Sequence, residues 1–300
     1  SKLYKIKNLN NPDLLSNNFY RVVSTNPHYF FHPNFANAYG LATSDGQTNI
    51  IPKNYVEFWD YGILRKDFLE NNVPRFGGAL YLNNKDLKTK QKLSDYLSNE
   101  IYLKNLKLIN TKYILSYVPL EVKDLRLVSG PEIIPYSDFN RLKSDFYKKE
   151  LKEKIKYIGR PPDIYIYEMN NVSERAFFPK KIHNIKKSNN LSLNFSSINE
   201  LYEKNHSFAF NEKLFPGEGE VNKLKKIKNG YEINVECEKE GIFVLNTFFN
   251  PYWRVEVNNK QKEIINLSDL HIGVKLEQGK KTIKFLYSRK LLRQKVFELF

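Results

Sequence analysis

From Tyr231 onward apolar and polar positions alternate with period two, the pattern of strands with one buried face. Six segments carry it: Tyr231 to Glu238, Gly241 to Phe249, Trp253 to Val257, Lys262 to Ile265, His271 to Leu276 and Thr282 to Tyr287. Hairpin-length turns separate them, at Lys239-Glu240, Asn250-Pro251, Asn258-Asn259-Lys260, Leu267 to Leu270 and Gln278-Gly279-Lys280. Strands this short and this evenly spaced predict a small antiparallel β-sandwich. After Asn170-Asn171 and ahead of these strands, one short helix is expected over Ile198 to Lys204, because Ser197 and Glu200 stand in capping-box spacing.

The first half has a different grammar. Phe19 to Ser24 predicts a strand, and His28 to Tyr61 a long organised surface loop with short helical pieces, punctuated by Pro33, Gly40, Asp45-Gly46 and Pro52. Leu93, Tyr96, Leu97 and Ile101 recur at helical spacing, and Lys112 to Val118 follows as a strand stopped by Pro119. Leu125 to Val128 predicts a further short strand. Phe139, Leu142, Phe146, Tyr147, Leu151 and Ile155 mark a second helix closed by Gly159 and Pro161-Pro162, and Ile164 to Glu168 a last strand. The expected fold is therefore a mixed, α+β one: an N-terminal α/β domain over 1–169, carrying the long aromatic loop, and a C-terminal antiparallel β-sandwich over 170–300.

Length agrees, since 300 residues fit two domains of ordinary size. A hydrophobic fraction of 41% suffices for packed interiors. The net charge of +15 raises nucleic acid, an anionic membrane and acidic substrates as partners. Lysines concentrate at 148–156, 180–187 and 223–228 without the aromatic interleaving or zinc spacing of a nucleic-acid module, so no nucleic-acid partner is expected. No run of about 18 apolar residues spans a bilayer. The abrupt start at Ser1 and the amphipathic end from Leu291 to Phe300 predict a fragment of a longer protein. The single cysteine, Cys237, lies in an alternating stretch and is expected to be a buried strand residue rather than a reactive thiol.

Catalytic patterns are wanting. Gly77-Gly78 lacks the Lys-Ser or Lys-Thr of a phosphate loop, Gly217-Glu218-Gly219 opens no dinucleotide-binding unit, and neither a nucleophile elbow nor a His-Glu-x-x-His appears. No cofactor and no catalytic residue is expected. His28 and His32 lie four apart, but Pro27 and Pro33 oppose a helix that would aim both at a metal, so no metal site is expected. His183, His206 and His271 are isolated. The best ligand-contact candidates are Tyr39, Asp45, Gln47, Trp59 and Asp60, because sugars are held by aromatic faces and by planar polar groups that bond their hydroxyls. The competing reading makes Asp45-Gly46 a turn and Trp59 core. Tyr252-Trp253 offers either a second sugar platform or a structural corner.

Within the last 60 residues, Gly241 to Lys260 (GIFVLNTFFNPYWRVEVNNK), Asn266 to Leu276 and Gln278 to Tyr287 resemble the closing domain of YfhO-like bacterial membrane glycosyltransferases of the GT-C type, also labelled as membrane proteins with a pterin-synthase-related domain. Earlier landmarks fall in the family's order: Arg21-Val22-Val23, Tyr39-Gly40, Asp45-Gly46, Tyr55 with Phe58, Leu108 to Ser116, Leu125 to Val128, Ile166-Tyr167-Glu168 and Glu174 to Phe177. Asn250-Pro251-Tyr252 departs from the family's Pro-Gly, and Ser129 to Arg160 is an insertion. The resemblance implies an extracytoplasmic, membrane-associated module. It would help hold an acceptor glycan or cell-envelope polymer for an enzyme that uses a polyprenyl-phosphate sugar donor. Its implied partners are the membrane-embedded region of the same protein, which carries the chemistry, the glycan, and an anionic membrane surface. A stand-alone carbohydrate-binding protein is the alternative.

Overall fold

The structure, a computed structural model, describes residues 19–24, 42–44, 46–47, 53–63, 79–80, 94–95, 97–98, 100–116, 119–130 and 165–288. The expected helix over Phe139 to Ile155 and the amphipathic end lie outside the described residues, as do Tyr39, Asp45, His28 and His32. What is described is β-rich: strands in mostly antiparallel sheets, with few helices. Among the described residues no helix is long and apolar enough to cross a membrane. The chain divides into two compact units: Ser1–Thr48, Val73–Asn99 and Thr111–Asn170 form one, and Asn49–Asn72, Glu100–Asn110 and Asn171–Phe300 the other.

The first unit holds β1 (Arg21–Ser24), β2 (Ala42–Thr43), β3 (Gly46–Gln47), β4 (Ala79–Leu80), β5 (Thr111–Ser116), β6 (Leu125–Ser129) and β7 (Tyr165–Met169). Five of these make a mixed sheet in the order β2-β1-β5-β7-β6; β3 and β4 pair separately. β1 runs parallel to β2 and β5, while β7 is antiparallel to β5 and β6. Every residue of β7, Tyr-Ile-Tyr-Glu-Met, is buried, as suits a central strand covered on both faces. The Tyr167 hydroxyl accepts a 2.7 Å hydrogen bond from the Leu120 amide, which gives the buried phenol its partner.

Glu168 is the one carboxylate on β7, and it is only 9% exposed. Lys112 Nζ of β5 reaches it at 2.8 Å, and the Arg126 guanidinium of β6 donates to its other oxygen. Lys112 also lies 4.8 Å from the centre of the Tyr20 ring. Burial alone pushes the Glu168 carboxyl up, but the hydrogen bonds from Lys112 and Arg126 outweigh it and hold the group below the usual carboxylate range. A depressed folded-state pKa contributes stability that is fully present above the ordinary carboxylate range and lost as pH falls through the folded value. Glu168→Gln is therefore expected to flatten the acid limb of a urea-midpoint-against-pH curve; an acid limb identical to wild type would remove this carboxylate from the account.

The second unit contains α1 (Lys53–Glu57), which widens into a π-helical turn over Phe58–Ile63, then α2 (Glu100–Leu108) and α3 (Leu191–Leu201). The sequence pattern predicts a surface loop through Tyr55 to Tyr61. Phe58, Trp59, Asp60 and Ile63 are instead buried, with Phe58 edge-on to Phe195 of α3 at 5.4 Å. Helix α3 starts at Leu191 rather than Ile198. Asn190 is its N-cap, its side-chain oxygen accepting from the amides of Ser192 and Leu193, whereas Ser197 sits mid-helix with its hydroxyl donating to Leu193 O. Helix α2 likewise runs on to Leu108, beyond the periodic stretch visible in the sequence.

The strands of this unit are β8 (Ala176–Phe177), β9 (Lys181–Ile185), β10 (His206–Phe210), β11 (Glu218–Ile227), β12 (Gly230–Lys239), β13 (Gly241–Leu245), β14 (Trp253–Val257), β15 (Lys260–Lys262), β16 (Ile265–Leu267), β17 (His271–Leu276) and β18 (Gly279–Tyr287). They form a five-stranded antiparallel sheet, β11-β12-β18-β14-β15, and a four-stranded one, β16-β17-β13-β8; β9 and β10 pair in parallel. Ile233, Val235, Val255, Ile283 and Phe285 of the first sheet share one core with Phe243, Leu245, Ile272 and Val274 of the second. On the other face of the five-stranded sheet, register aligns Lys225, Glu232, Lys284 and Glu256 in one row across four strands, so each charge has opposite-sign neighbours.

Helix α2 ends within this unit, and its last carbonyls need donors. Asn246 Nδ2 donates to Leu108 O at 2.8 Å, and His271 Nε2 stands 3.3 Å from the same oxygen. A carbonyl only accepts, so the proton is on His271 Nε2, and Nδ1 accepts from the Ser207 hydroxyl at 3.3 Å. The Ser173 amide donates to Lys107 O, and Arg175 Nη1 to Asn246 O at 2.8 Å. Asn246, His271, Ser173 and Ser207 are all fully buried. Removing a buried donor from a buried acceptor costs about 1–3 kcal/mol. Asn246→Ala is expected to lower the stability derived from urea unfolding by that amount with an unchanged denaturant slope, and a midpoint within error of wild type would contradict this account of the helix end.

Candidate functional site

The ligand candidates suggested by the sequence do not assemble into one described site. Tyr39 and Asp45 lie outside the described residues. Gln47 sits in β3 opposite Ala79 of β4, with its backbone alone described. Trp59 and Asp60 belong to the π-helical turn of the second unit and are 0% and 6% exposed. The ring of Tyr55 lies 6.3 Å from that of Trp59, and the indole presents no face to solvent. The five-residue helix α1 and the wide turn after it aim Phe58, Trp59 and Ile63 inward together, which is core packing.

Tyr252 and Trp253 form a corner. The Tyr252 amide donates to Asn250 Oδ1 at 2.9 Å and the Trp253 amide to Asn250 O at 3.1 Å, so Asn250-Pro251 is the turn that feeds β14. The Trp253 ring then packs edge-on to Tyr287 of β18 at 5.3 Å, and Tyr252 to the same ring at 6.2 Å. The three rings brace one another at the end of the sheet and remain half-buried.

A cleft of about 360 Å³ opens in the second unit, beside β8 and the start of β11. It is lined by Glu174, Asn205, Glu220 and Phe178, with Phe177 buried in the core behind them. Its polar wall is held in place locally. Asn205 has a left-handed backbone, φ 62°, in the turn between α3 and β10; it accepts from the Glu174 amide through Oδ1 and from the Lys180 amide through its carbonyl, both at 3.0 Å. Its own amide bonds the Ser173 hydroxyl. With Oδ1 engaged, the carboxamide still carries two N–H donors. Lys204 Nζ lies 3.2 Å from the Glu174 carboxylate at the rim.

The other wall depends on a bulge. Pairing of β11 with β12 slips between Glu218 and Gly219, and Gly219 takes φ 153°, where a Cβ would lie 2.1 Å from Glu236 O. No side chain is tolerated there, and the slip sets the register that leaves Glu220 directly opposite Glu236. Like charges in opposed positions weaken a sheet. A local rule broken in this way is expected where a residue serves something besides folding.

The histidines also come together in a way the sequence does not disclose. His183 of β9 and His206 of β10 place Nε2 and Nδ1 3.0 Å apart. Burial, then the neighbouring His206 and Lys181 charges, push the His183 imidazole below its usual range. His271 is taken up by the end of α2. Among the described residues no three or more His, Cys, Asp or Glu side chains gather as a metal-binding group. Cys237 is 1% exposed, its thiol donates to Lys239 O, and burial pushes its pKa up, so the expected inert strand residue is what is found.

The cleft residues are legible in the sequence only as scattered polar positions, because Glu174, Asn205 and Glu220 converge through a helix–strand turn and a bulge that no short motif encodes. No protein-family model, no curated protein and no solved structure matches this chain.

Proposed function

We propose that this chain is the non-catalytic, glycan-holding portion of a multi-spanning, YfhO-like membrane glycosyltransferase that draws on a polyprenyl-phosphate sugar donor. In this reading an N-terminal α/β domain precedes a C-terminal β-sandwich on the extracytoplasmic side. The partners are the membrane-embedded region of the same protein, an acceptor glycan or cell-envelope polymer, and anionic lipid headgroups near the basic surface. The observation that carries the glycan part is the cleft beside β8 and β11. Two carboxylates accept from sugar hydroxyls, a carboxamide with two N–H donors answers the ring and hydroxyl oxygens, and the half-buried Phe178 ring offers an apolar face. Its volume falls at the small end of ligand sites, which run to about 300–1,000 Å³, and suits one or two hexose rings. The carboxylates disfavour an anionic polymer, so the cleft is assigned to a neutral sugar.

The membrane part rests on the order of motifs from Arg21 to Tyr287 and on the segment Gly241 to Tyr287, which builds β13 to β18. It implies that the gene encodes several apolar helices of about 20 residues alongside this segment. A carbohydrate-binding protein with no membrane partner uses the same cleft and lacks those helices.

Titration of the purified chain with neutral oligosaccharides of hexoses and N-acetylhexosamines, followed by calorimetry, tests the cleft. Glu220→Gln, on an exposed side chain, is expected to weaken binding roughly tenfold, a loss of about 1.4 kcal/mol, with a urea midpoint no lower than wild type because the like-charge pair with Glu236 is relieved. Undiminished binding by that variant, or no binding by the wild-type chain to any member of the set, removes the glycan assignment.

A further inference from the structure

The pair formed by His183 and His206 stands at a hydrogen-bond separation that two imidazole ligands of one metal ion also keep. β9 and β10 run in parallel, with His206 opposite Lys181 and Phe208 opposite His183. His206 and Phe208 are two apart on one strand, so both imidazoles emerge on the same face, as diagonal neighbours. Their ring centres are 4.9 Å apart. His183 lies stacked on Phe208, 5.4 Å away and 18° from parallel, which fixes the plane of the partly exposed ring. His206 is fixed on two sides. Its Nδ1 is 3.3 Å from Leu201 O at the end of α3, and its Nε2 is 3.5 Å from the Glu203 carboxylate.

Two nitrogen donors on one metal ion, each at roughly 2.0–2.1 Å and cis to one another, lie about 2.9–3.3 Å apart. The His183 Nε2 to His206 Nδ1 separation of 3.0 Å falls in this range. The outer contacts fit as well. A metal on His206 Nδ1 needs the ring proton on Nε2, and Nε2 is the nitrogen that faces Glu203, giving the carboxylate–histidine–metal arrangement that orients a ligating imidazole.

We propose that His183 Nε2 and His206 Nδ1 form a two-imidazole chelate for a borderline divalent transition-metal cation, of the copper, nickel or zinc class. Both donors are neutral imidazoles. In the metal-free protein His206 Nδ1 carries the proton, since a carbonyl only accepts, and shares it between Leu201 O and His183 Nε2; on binding, that proton moves to Nε2 of the same ring, water takes its place at Leu201 O, and no net proton leaves the protein. Glu203 accepts from His206 Nε2–H, and water fills the remaining positions. With two protein ligands the site is an exchangeable one, unlike a four-ligand structural zinc site. Affinity should follow the order copper above nickel and zinc, and hard magnesium and calcium, which favour oxygen ligands, should not bind. The proposal is independent of the glycan reading.

Calorimetric titration of the full chain with copper(II), nickel(II) and zinc(II) chlorides tests it, with electron paramagnetic resonance counting the nitrogens on copper. The expected result is one high-affinity equivalent with two imidazole nitrogens, weakened at least about tenfold by His183→Gln and roughly tenfold by Glu203→Gln. His183 is partly exposed and Glu203 is 77% exposed, so both variants keep the fold, checked by circular dichroism. His28→Gln/His32→Gln, which removes the other closely spaced histidine pair, should bind copper as wild type does. Loss of binding in that double variant with retention in His183→Gln overturns the proposal, as does a wild-type chain that binds no transition metal.

Discussion

The second unit turns on the fate of one carbonyl. Leu108 O ends α2 in a place that water does not reach, and a helix end buried without donors costs as much as a lost hydrogen bond for each group. Asn246, just past β13, and His271, at the start of β17, both direct nitrogen donors at it from the same four-stranded sheet. The demand propagates outward. His271 must keep its proton on Nε2, so Ser207 must donate to Nδ1, which ties β10 to the same network; Asn246 in turn offers its own carbonyl to Arg175 ahead of β8. Five segments of the chain are thereby held to one register by polar contacts, and the apolar core fills the space around them.

That arrangement explains which parts of the fold are legible in the sequence. The strands Trp253–Val257 and His271–Leu276 are found at the bounds the sequence predicts; in the first local period and burial agree, while the second is buried on both faces over its first four residues. The start of α3 is concealed because Ser197 and Glu200 mimic a capping box, while the true cap, Asn190, belongs to a chain so rich in asparagine that one more draws no notice. β11 escapes the pattern altogether. Its residues alternate charged and apolar side chains only on either side of two bulges, and its lysines look like a charge run. The parallel pairing of β9 with β10 has no turn signature, since the strands are joined through α3 rather than by a hairpin.

The candidate site follows the same logic. Tyr, Trp, Asp and Gln stand out by chemical type, and Trp59 has the right type in the wrong place: the widened turn after α1 points it into the core. Glu174 and Glu220 are ordinary acids in sequence and become a pair of cleft walls through a left-handed Asn205 and a positive-φ Gly219 beside a register slip. Backbone conformations of this kind are set by tertiary contacts, such as the Lys180 and Glu174 amides that bond Asn205, and a one-dimensional pattern does not carry them.

The lysine-rich edge of the five-stranded sheet has a consequence for solubility. β11 is its outermost strand on one side and β15 on the other, and an unpaired strand edge is a template on which a second chain can add. β15 is wholly exposed and reads Lys-Gln-Lys; β11 carries Lys223, Lys225 and Lys226 and is broken twice by register slips. Cationic, kinked borders repel and misalign an incoming copy. Part of the chain's surplus of positive charge thus acts as a colloidal guard, stopping the sheet from growing sideways into fibrils.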